Sequence, residues 1–206
     1  MIKIEETEVF GWKASIRGMR NAFESWDKSD SLFNPFVIGA NDLELMKKLS
    51  KAGNDHAKFL RMINVTCDIT APLYWWKEFD TYKVGTVANS CSTMHCIHKK
   101  EFTPDDFSCE HLIDDQSAEV VGLEYLTFVM GGLNKHRRRY LETNDKKCWW
   151  QIIQLLPTSY NQKRTVQMNY QVLKNMYHSR KNHKLDEWRE FCNWCETLPY
   201  FKEICL

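Results

Sequence analysis

The stretch from Leu155 to Arg189 carries the residues best suited to hold a ligand: Asn169, Asn175, Arg180 and His183, interleaved with an apolar set of Val166, Tyr170, Leu173, Met176 and Tyr177. Asn169 and Arg180 are eleven residues apart, about three helical turns, so on one helix both point in a similar direction. Asn175 falls about 120° off that line and marks a flank. An arginine at the end of such a row presents a planar fork of donors to a carbonyl edge or a phosphate. The plainer reading is the solvated side of an amphipathic helix, and pattern alone favours it.

Other clusters carry weaker chemistry. Cys91, His95, Cys96, His98, Cys109 and His111 fall within one segment. A structural zinc site needs four ligands at compatible spacing, and this spacing is irregular, so no metal is expected. Cys192-Asn193-Trp194-Cys195 is a C-x-x-C late in an expected helix. Redox work wants such a pair at a helix N-terminus, where the dipole favours thiolate. Two buried cysteines on one face is the better reading. Lys135 to Arg139 holds a lysine, a histidine and three arginines. Such a run could meet phosphate, but more often it is a solvated helix face. Trp75-Trp76 and Trp149-Trp150 could stack bases, although core packing is the commoner use of such pairs.

Composition narrows the classes. The chain has 206 residues, 43% hydrophobic and 27% charged, which excludes a disordered tail, a collagen-like fibre and a coiled-coil rod. The length fits a single domain over residues 1–206. Lys plus Arg is 28 against 27 for Asp plus Glu, so global counterion release onto nucleic acid has no support. No apolar run approaches the ~20 residues of a membrane span, and no secretion signal is visible. The eight cysteines are then expected reduced, in a cytoplasmic setting.

Several elements must position these residues. Met1 to Phe10 reads as an edge strand and Trp12 to Arg20 as a short helix. Asn21 to Asn34 is polar and loop-like. Asn41 is the expected N-cap of a helix through Leu43, Leu45, Met46 and Leu49. Phe59 to Ile69 alternates as a strand, closed by Ala71-Pro72 before a helix through Leu73 to Phe79. Gly85 to Ser92 reads as a loop. Helices are expected over Ser117–Glu142, Asp145–Leu156, Gln162–Arg180 and His183–Cys195, with Leu198-Pro199 closing the fold. Low Gly and Pro counts, 8 and 5, agree with long helices and few hairpins.

Leu156 to Glu187 resembles the flavin-dependent thymidylate synthase family. That family has a Leu-Pro, then Asn-x-Arg, Leu and Asn, Leu-Arg, and finally His and Glu. Here Leu156-Pro157 leads to Asn169, Leu173, Asn175, Arg180, His183 and Glu187, with one deletion just before His183. Upstream, Ala71-Pro72 followed by aromatics and Lys77-Glu78 looks like the strand before the family's Arg-His-Arg flavin motif. Asn89 and Ser92 look like the Asn and Ser of its Asn-Glu-x-Ser-x-Arg segment. The resemblance runs loosely from Asp42 to Arg189, and Arg20-Asn21 weakly echoes an early Arg-x-Ser.

The resemblance implies an α+β, helix-rich fold with a small, mostly antiparallel sheet. It implies FAD held between subunits of a homotetramer by Asn169, Asn175 and His183. It also implies a pyrimidine nucleotide whose carbonyl edge meets Arg180 and whose pocket Ser92 lines. Asn89, Lys83 and Gln171 fall at further flavin positions. The departures lie in the cations. The Arg-His-Arg place falls on Thr81-Tyr82-Lys83 or on Tyr82-Lys83-Val84, where Lys83 is the one cation. Ser90, Met94, Ile153 and Gln171 stand where the family has Glu, Arg, Arg and Arg. Each lost charge-assisted bond is worth about 1.5–3 kcal/mol, so two cost a hundredfold or more in affinity. Conventional thymidylate synthesis is therefore not expected. The alternative is a non-catalytic relative repurposed for protein or nucleic-acid interaction.

Overall fold

The computed structural model describes residues 2–115, 117 and 121–206. Its chain gathers into two compact units. The first comprises Met1–Lys3, Thr70–Phe79 and Ser90–Arg164, and the second Ile4–Ile69, Asp80–Asn89 and Thr165–Leu206. The fold is helix-rich with a small antiparallel sheet, as expected. That sheet has four strands, β1 (Lys3–Phe10), β4 (Asn64–Pro72), β5 (Val87–Ser90) and β6 (Asn161–Asn169), in the order β1-β4-β6-β5. The edge position read for β1 holds. A hairpin of β2 (Leu32–Phe33) and β3 (Phe36–Val37) is separate and antiparallel.

In the second unit, β4 buries Val65, Cys67 and Ile69 on alternate positions. The expected strand began too early. Ala57–Met62 is a 3-10 turn that buries Ala57, Phe59 and Leu60. The adjacent pair Phe59-Leu60 breaks the alternation there, and the Phe59 carbonyl accepts from Ser15 Oγ at 2.9 Å. Helix α7 (Tyr170–Arg180) packs on this turn, on α8 (Asp186–Cys195) and on α9 (Phe201–Cys205). Tyr170, Leu173, Met176, Trp188, Phe191 and Phe201 are fully buried there. The short helix α9 was not read from the sequence.

Helix α2 (Ala40–Lys51) starts at Gly39 and not at Asn41. Its open amide groups are capped from a distance by the polar loop. Asp30 Oδ2 accepts from Asn41 N at 2.9 Å, and Asp30 Oδ1 from Asp42 N at 3.1 Å. Gly39 is needed for this approach, since a Cβ there would fall 2.2 Å from the Asp30 carboxyl. Asp42 in turn gathers the loop. It accepts from Arg20 Nε at 2.7 Å, Ser29 Oγ at 2.8 Å and Ser31 Oγ at 2.6 Å. Arg20 of α1 (Trp12–Arg20) and Asp42 are both buried.

The first unit is built on α5 (Gly122–Thr143) packed against α6 (Lys146–Leu155), which Asp145 caps through Lys147 N at 2.9 Å. Ile97, Phe102, Phe107, Leu126, Leu133 and Ile152 form its core. Helix α5 is continuous through Gly131-Gly132. The expected helix began at Ser117, and residues 118–120 of that span lie outside the described residues. Trp75 and Trp76 of α3 (Leu73–Phe79) are core residues, as the commoner reading held. Trp150 is 45% exposed and is not.

Burial alone would raise the Asp42 pKa. The hydroxyls of Ser31 and Ser29 and the Arg20 guanidinium more than offset this and hold the carboxyl below its usual range. A depressed carboxyl stabilises the fold above its unfolded pKa and stops doing so as pH falls through the folded value. Asp42→Asn is expected to cost about 3–5 kcal/mol in urea unfolding at neutral pH, because Arg20 is left buried without its counter-charge. The same variant is expected to lose less stability than wild type on going below about pH 4. Parallel acid limbs for the two proteins would show that Asp42 does not carry this dependence.

Candidate functional site

Asn169 is where strand becomes helix. The stretch expected as one helix from Gln162 is β6 up to Asn169 and α7 beyond it. Gln162, Val166 and Met168 are buried on alternate positions, which is strand periodicity. Asn169 keeps an extended backbone and caps α7, its Oδ1 accepting from Val172 N at 3.0 Å. Asn169 and Arg180 therefore bracket one helix, about 16 Å apart along its axis, instead of sharing a stripe.

The loop Asp80–Thr86 runs against both ends. At the start of α7, Gly85 has φ +80°, and a Cβ there would meet Val172 Cγ2 at 2.8 Å and Asn169 Nδ2 at 3.2 Å. At the far end, Tyr82 Oη accepts from Arg180 Nε at 2.8 Å. The Arg180 guanidinium carbon lies 5.5 Å from the Tyr82 ring centre and 4.7 Å from that of Trp188. Trp188 is fully buried and its ring also faces His183 at 6.3 Å. His183 Nδ1 accepts from Leu185 N at 3.2 Å, at the entrance to α8. Arg180 and His183 thus share one aromatic corner, built on Trp188.

On the intervening turn, Gln171 is buried and donates from Nε2 to Asn175 Oδ1 at 3.1 Å. Its Oε1 is buried with no hydrogen-bond partner. An unmet acceptor of this kind costs about 1–3 kcal/mol. Asn175 is exposed, as are Lys83 and Asn89, the latter on β5 where a loop was expected. The structure thus joins Asn169 to the Gly85 loop, Gln171 to Asn175, and Arg180 to His183 through Trp188. Tyr82 and Trp188 were not singled out. Tyr82 sits at the place of the missing arginine motif, which was the available signal, but charge drew attention to Lys83.

Ser92 belongs to the first unit. Its Oγ caps the short helix α4 (Thr93–Cys96) by accepting from His95 N at 3.3 Å. It borders a cleft of 720 Å³ whose lining includes Thr70, Lys99, Tyr160, Gln162 and Lys163. Burial, then Asp106, Cys91 and Cys96, push the Tyr160 phenol above its usual pKa, so it stays a neutral donor. Gln162 is fixed by donating to the Cys91 carbonyl at 2.8 Å and accepting from Arg164 Nε at 3.0 Å. Arg164 lies 4.2 Å from the Trp76 ring centre. Among the described residues, no group of three or more His, Cys, Asp or Glu gathers to hold a metal.

No protein-family model matches the chain, and no curated protein matches it in sequence. Solved structures do match in shape. Thymidylate synthase X from Helicobacter pylori, with FAD and dUMP, aligns at a TM-score of 0.70 over 100% of this chain and 97% of that one, at 14% identity. A second structure of that enzyme, also complexed with FAD and dUMP, aligns at 0.71 over 99% of each chain, at 17% identity. The UMP/dUMP methylase PolB from Streptomyces cacaoi, bound with 5-Br dUMP, aligns at 0.65 over 96% and 89%, at 15% identity. The chain has the fold of the flavin-dependent thymidylate synthases. The resemblance read from Leu156 to Glu187 therefore extends, in shape, to the whole chain.

The Gly85 contact tests how the loop is held. Gly85→Ala imposes a left-handed backbone on a residue with a Cβ and presses it on Val172. It is expected to cost about 1–3 kcal/mol in thermal or urea unfolding. Adding Val172→Ala relieves the contact but not the backbone strain, so it should recover part of that loss. Full stability in Gly85→Ala alone would show that the loop does not rest on α7.

Proposed function

We propose that the protein is a divergent flavin-dependent thymidylate synthase-like protein that binds a pyrimidine nucleotide. The observation that carries this reading is Arg180, hydrogen-bonded to Tyr82 and set against the Trp188 ring in a chain that takes this fold from end to end. A guanidinium held by aromatic faces loses little entropy when its fork meets a carbonyl edge. On this reading Arg180 takes the pyrimidine edge, and Ser92 is proposed as a nucleotide contact of the first unit. Residues 1–206 act as one domain, in a homo-oligomer expected to be a tetramer, in the cytoplasm. No helix among the described residues is long and apolar enough to cross a membrane.

The cofactor of the resemblance is FAD. The unmet Gln171 acceptor suits an N–H or O–H donor, which a flavin ring and ribityl chain possess. Gln171, Asn169, Asn175, His183 and Asn89 would hold those polar parts, and Lys83 would offer charge to the phosphates. Bound flavin would supply a hydride for one-carbon transfer to C5 of the base. The chain's own part is binding and orientation: Tyr82 and Trp188 fix the plane of Arg180, and the Asn169 cap fixes the start of α7.

The loss of the anion-binding arginines favours a second reading, a relative that keeps the pocket without thymidylate synthesis. Under either reading, expression of this chain is expected not to support growth of a synthase-deficient host without thymidine. Growth there would show that catalysis survives the substitutions.

Calorimetric titration with dUMP, UMP and FAD tests the binding reading. Arg180→Lys keeps the charge but loses the fork, and is expected to weaken nucleotide binding by about tenfold or more. Its melting temperature without ligand should fall by less than a few degrees. Equal nucleotide affinity in both proteins would remove Arg180 from the site. No binding by wild type would reject the nucleotide reading altogether.

A further inference from the structure

The cleft beside Ser92 carries two thiols at positions that a capped helix start brings together. Ser92 is the N-cap of α4, so Cys91 directly precedes the cap and Cys96 is the last residue of the helix's single turn. These are the two positions that a hydrophobic staple joins across a helix start. The backbone at both is fixed. Cys91 N donates to the Lys163 carbonyl at 2.9 Å, and the Cys91 carbonyl accepts from Gln162 Nε2 at 2.8 Å. Cys96 N donates to the Ser92 carbonyl at 3.0 Å. Both cysteines line the same cleft, and both bear on the Tyr160 phenol. A staple ordinarily buries an apolar pair. Here both residues are exposed, so bringing them together removes little apolar surface from water. Cys67, Cys192, Cys195 and Cys205 are buried and serve as packing; this pair does not.

We propose that Cys91 and Cys96 form a reversible dithiol modification site, which a low-molecular-weight disulfide oxidises to a bridge across the Ser92 cap. The thiolate of one cysteine attacks a sulfur of the small disulfide, expels one small thiol and leaves a mixed disulfide. The second cysteine attacks the protein sulfur of that mixed disulfide, closes the Cys91–Cys96 bond and expels the second small thiol. The two protein thiols give up two electrons and two protons, and the small disulfide takes them up as two thiols. The second exchange is intramolecular between groups that the cap holds near each other, which favours it over attack by a thiol from solution. Exposure admits the oxidant and later admits a reductant. The bridge closes only the short ring from Cys91 to Cys96, so it restrains little of the unfolded chain. An exposed bridge of that kind is labile, and it works as a switch more than as a structural clamp. Ser92 lies inside the ring, so closing it fixes the stretch of cleft wall that carries the Ser92 hydroxyl. In a reducing setting the pair rests as two thiols.

Nucleotide binding is not needed for this chemistry, so its test reads thiols and masses. Folded wild-type protein, fully reduced and then treated with oxidised glutathione, is expected to lose the titratable thiols of Cys91 and Cys96. Peptide mapping should show those two residues joined, lighter by the mass of two hydrogens. Dithiothreitol should restore both thiols. Cys91→Ser and Cys96→Ser cannot complete the second exchange. Each should therefore accumulate a glutathione adduct on its remaining cysteine of the pair, which wild type does not. Both variants should keep the circular dichroism of the folded chain, since both positions are exposed. Stable, separate glutathione adducts on Cys91 and Cys96 of wild type would overturn the proposal. So would a pair that stays reduced under excess disulfide, or a bridge that joins two chains.

Discussion

The hydrogen bond from Val172 N to Asn169 Oδ1 decides the direction of everything that follows it in the second unit. An asparagine in extended conformation closes β6, and its amide oxygen takes one of the open donors of α7. Without that switch, the chain from Gln162 could continue in a single element, and the polar residues beyond would face elsewhere. With it, Tyr170, Leu173 and Met176 turn into the core, Gln171 is half-satisfied beneath the surface, and Arg180 arrives at the far end beside Trp188. Gly85 reinforces the switch, because the space it leaves brings the Asp80–Thr86 loop onto the cap itself.

Arg180 shows how aromatic side chains can order a guanidinium. Guanidinium groups are weakly hydrated and stack well, so aromatic faces can hold one in a fixed plane. Tyr82 contributes a face and a hydroxyl acceptor, and Trp188 a buried face. Each such contact is worth on the order of 0.5–2 kcal/mol, enough to order a long side chain.

Legibility followed the strength of the local signal. The amphipathic helices α1, α5 and α6 were readable because apolar residues recur at 3.6 and the Asp145 cap is short-range. The cap of α2 was not, because its donors are met by Asp30 across a loop and not by the neighbouring Asn41. Strand β6 was hidden because Val166, Tyr170, Leu173 and Tyr177 look helical when read together, while the alternation of Gln162, Val166 and Met168 includes a polar buried position. Strand β5 was invisible, since all four of its residues are exposed and carry no pattern. At the site, the polar residues of α7 could be named from the motif. Their grouping could not, because it depends on Tyr82, Gly85 and Trp188, which come from other elements.

The thiols beneath the site bear on what the fold can do chemically. Burial raises Cys67 and Cys205 to about 12 and Cys192 to about 11. Cys195, surrounded by the other three, is raised further by its own burial. A neutral, buried thiol is a poor nucleophile and a poor ligand, so the C-x-x-C at the end of α8 acts as packing. Tyr177 is likewise pushed up to about 12, first by its hydrogen bond to Glu196. These four thiols and the Tyr177 phenol are therefore neutral near neutral pH and serve as packing and hydrogen-bonding groups.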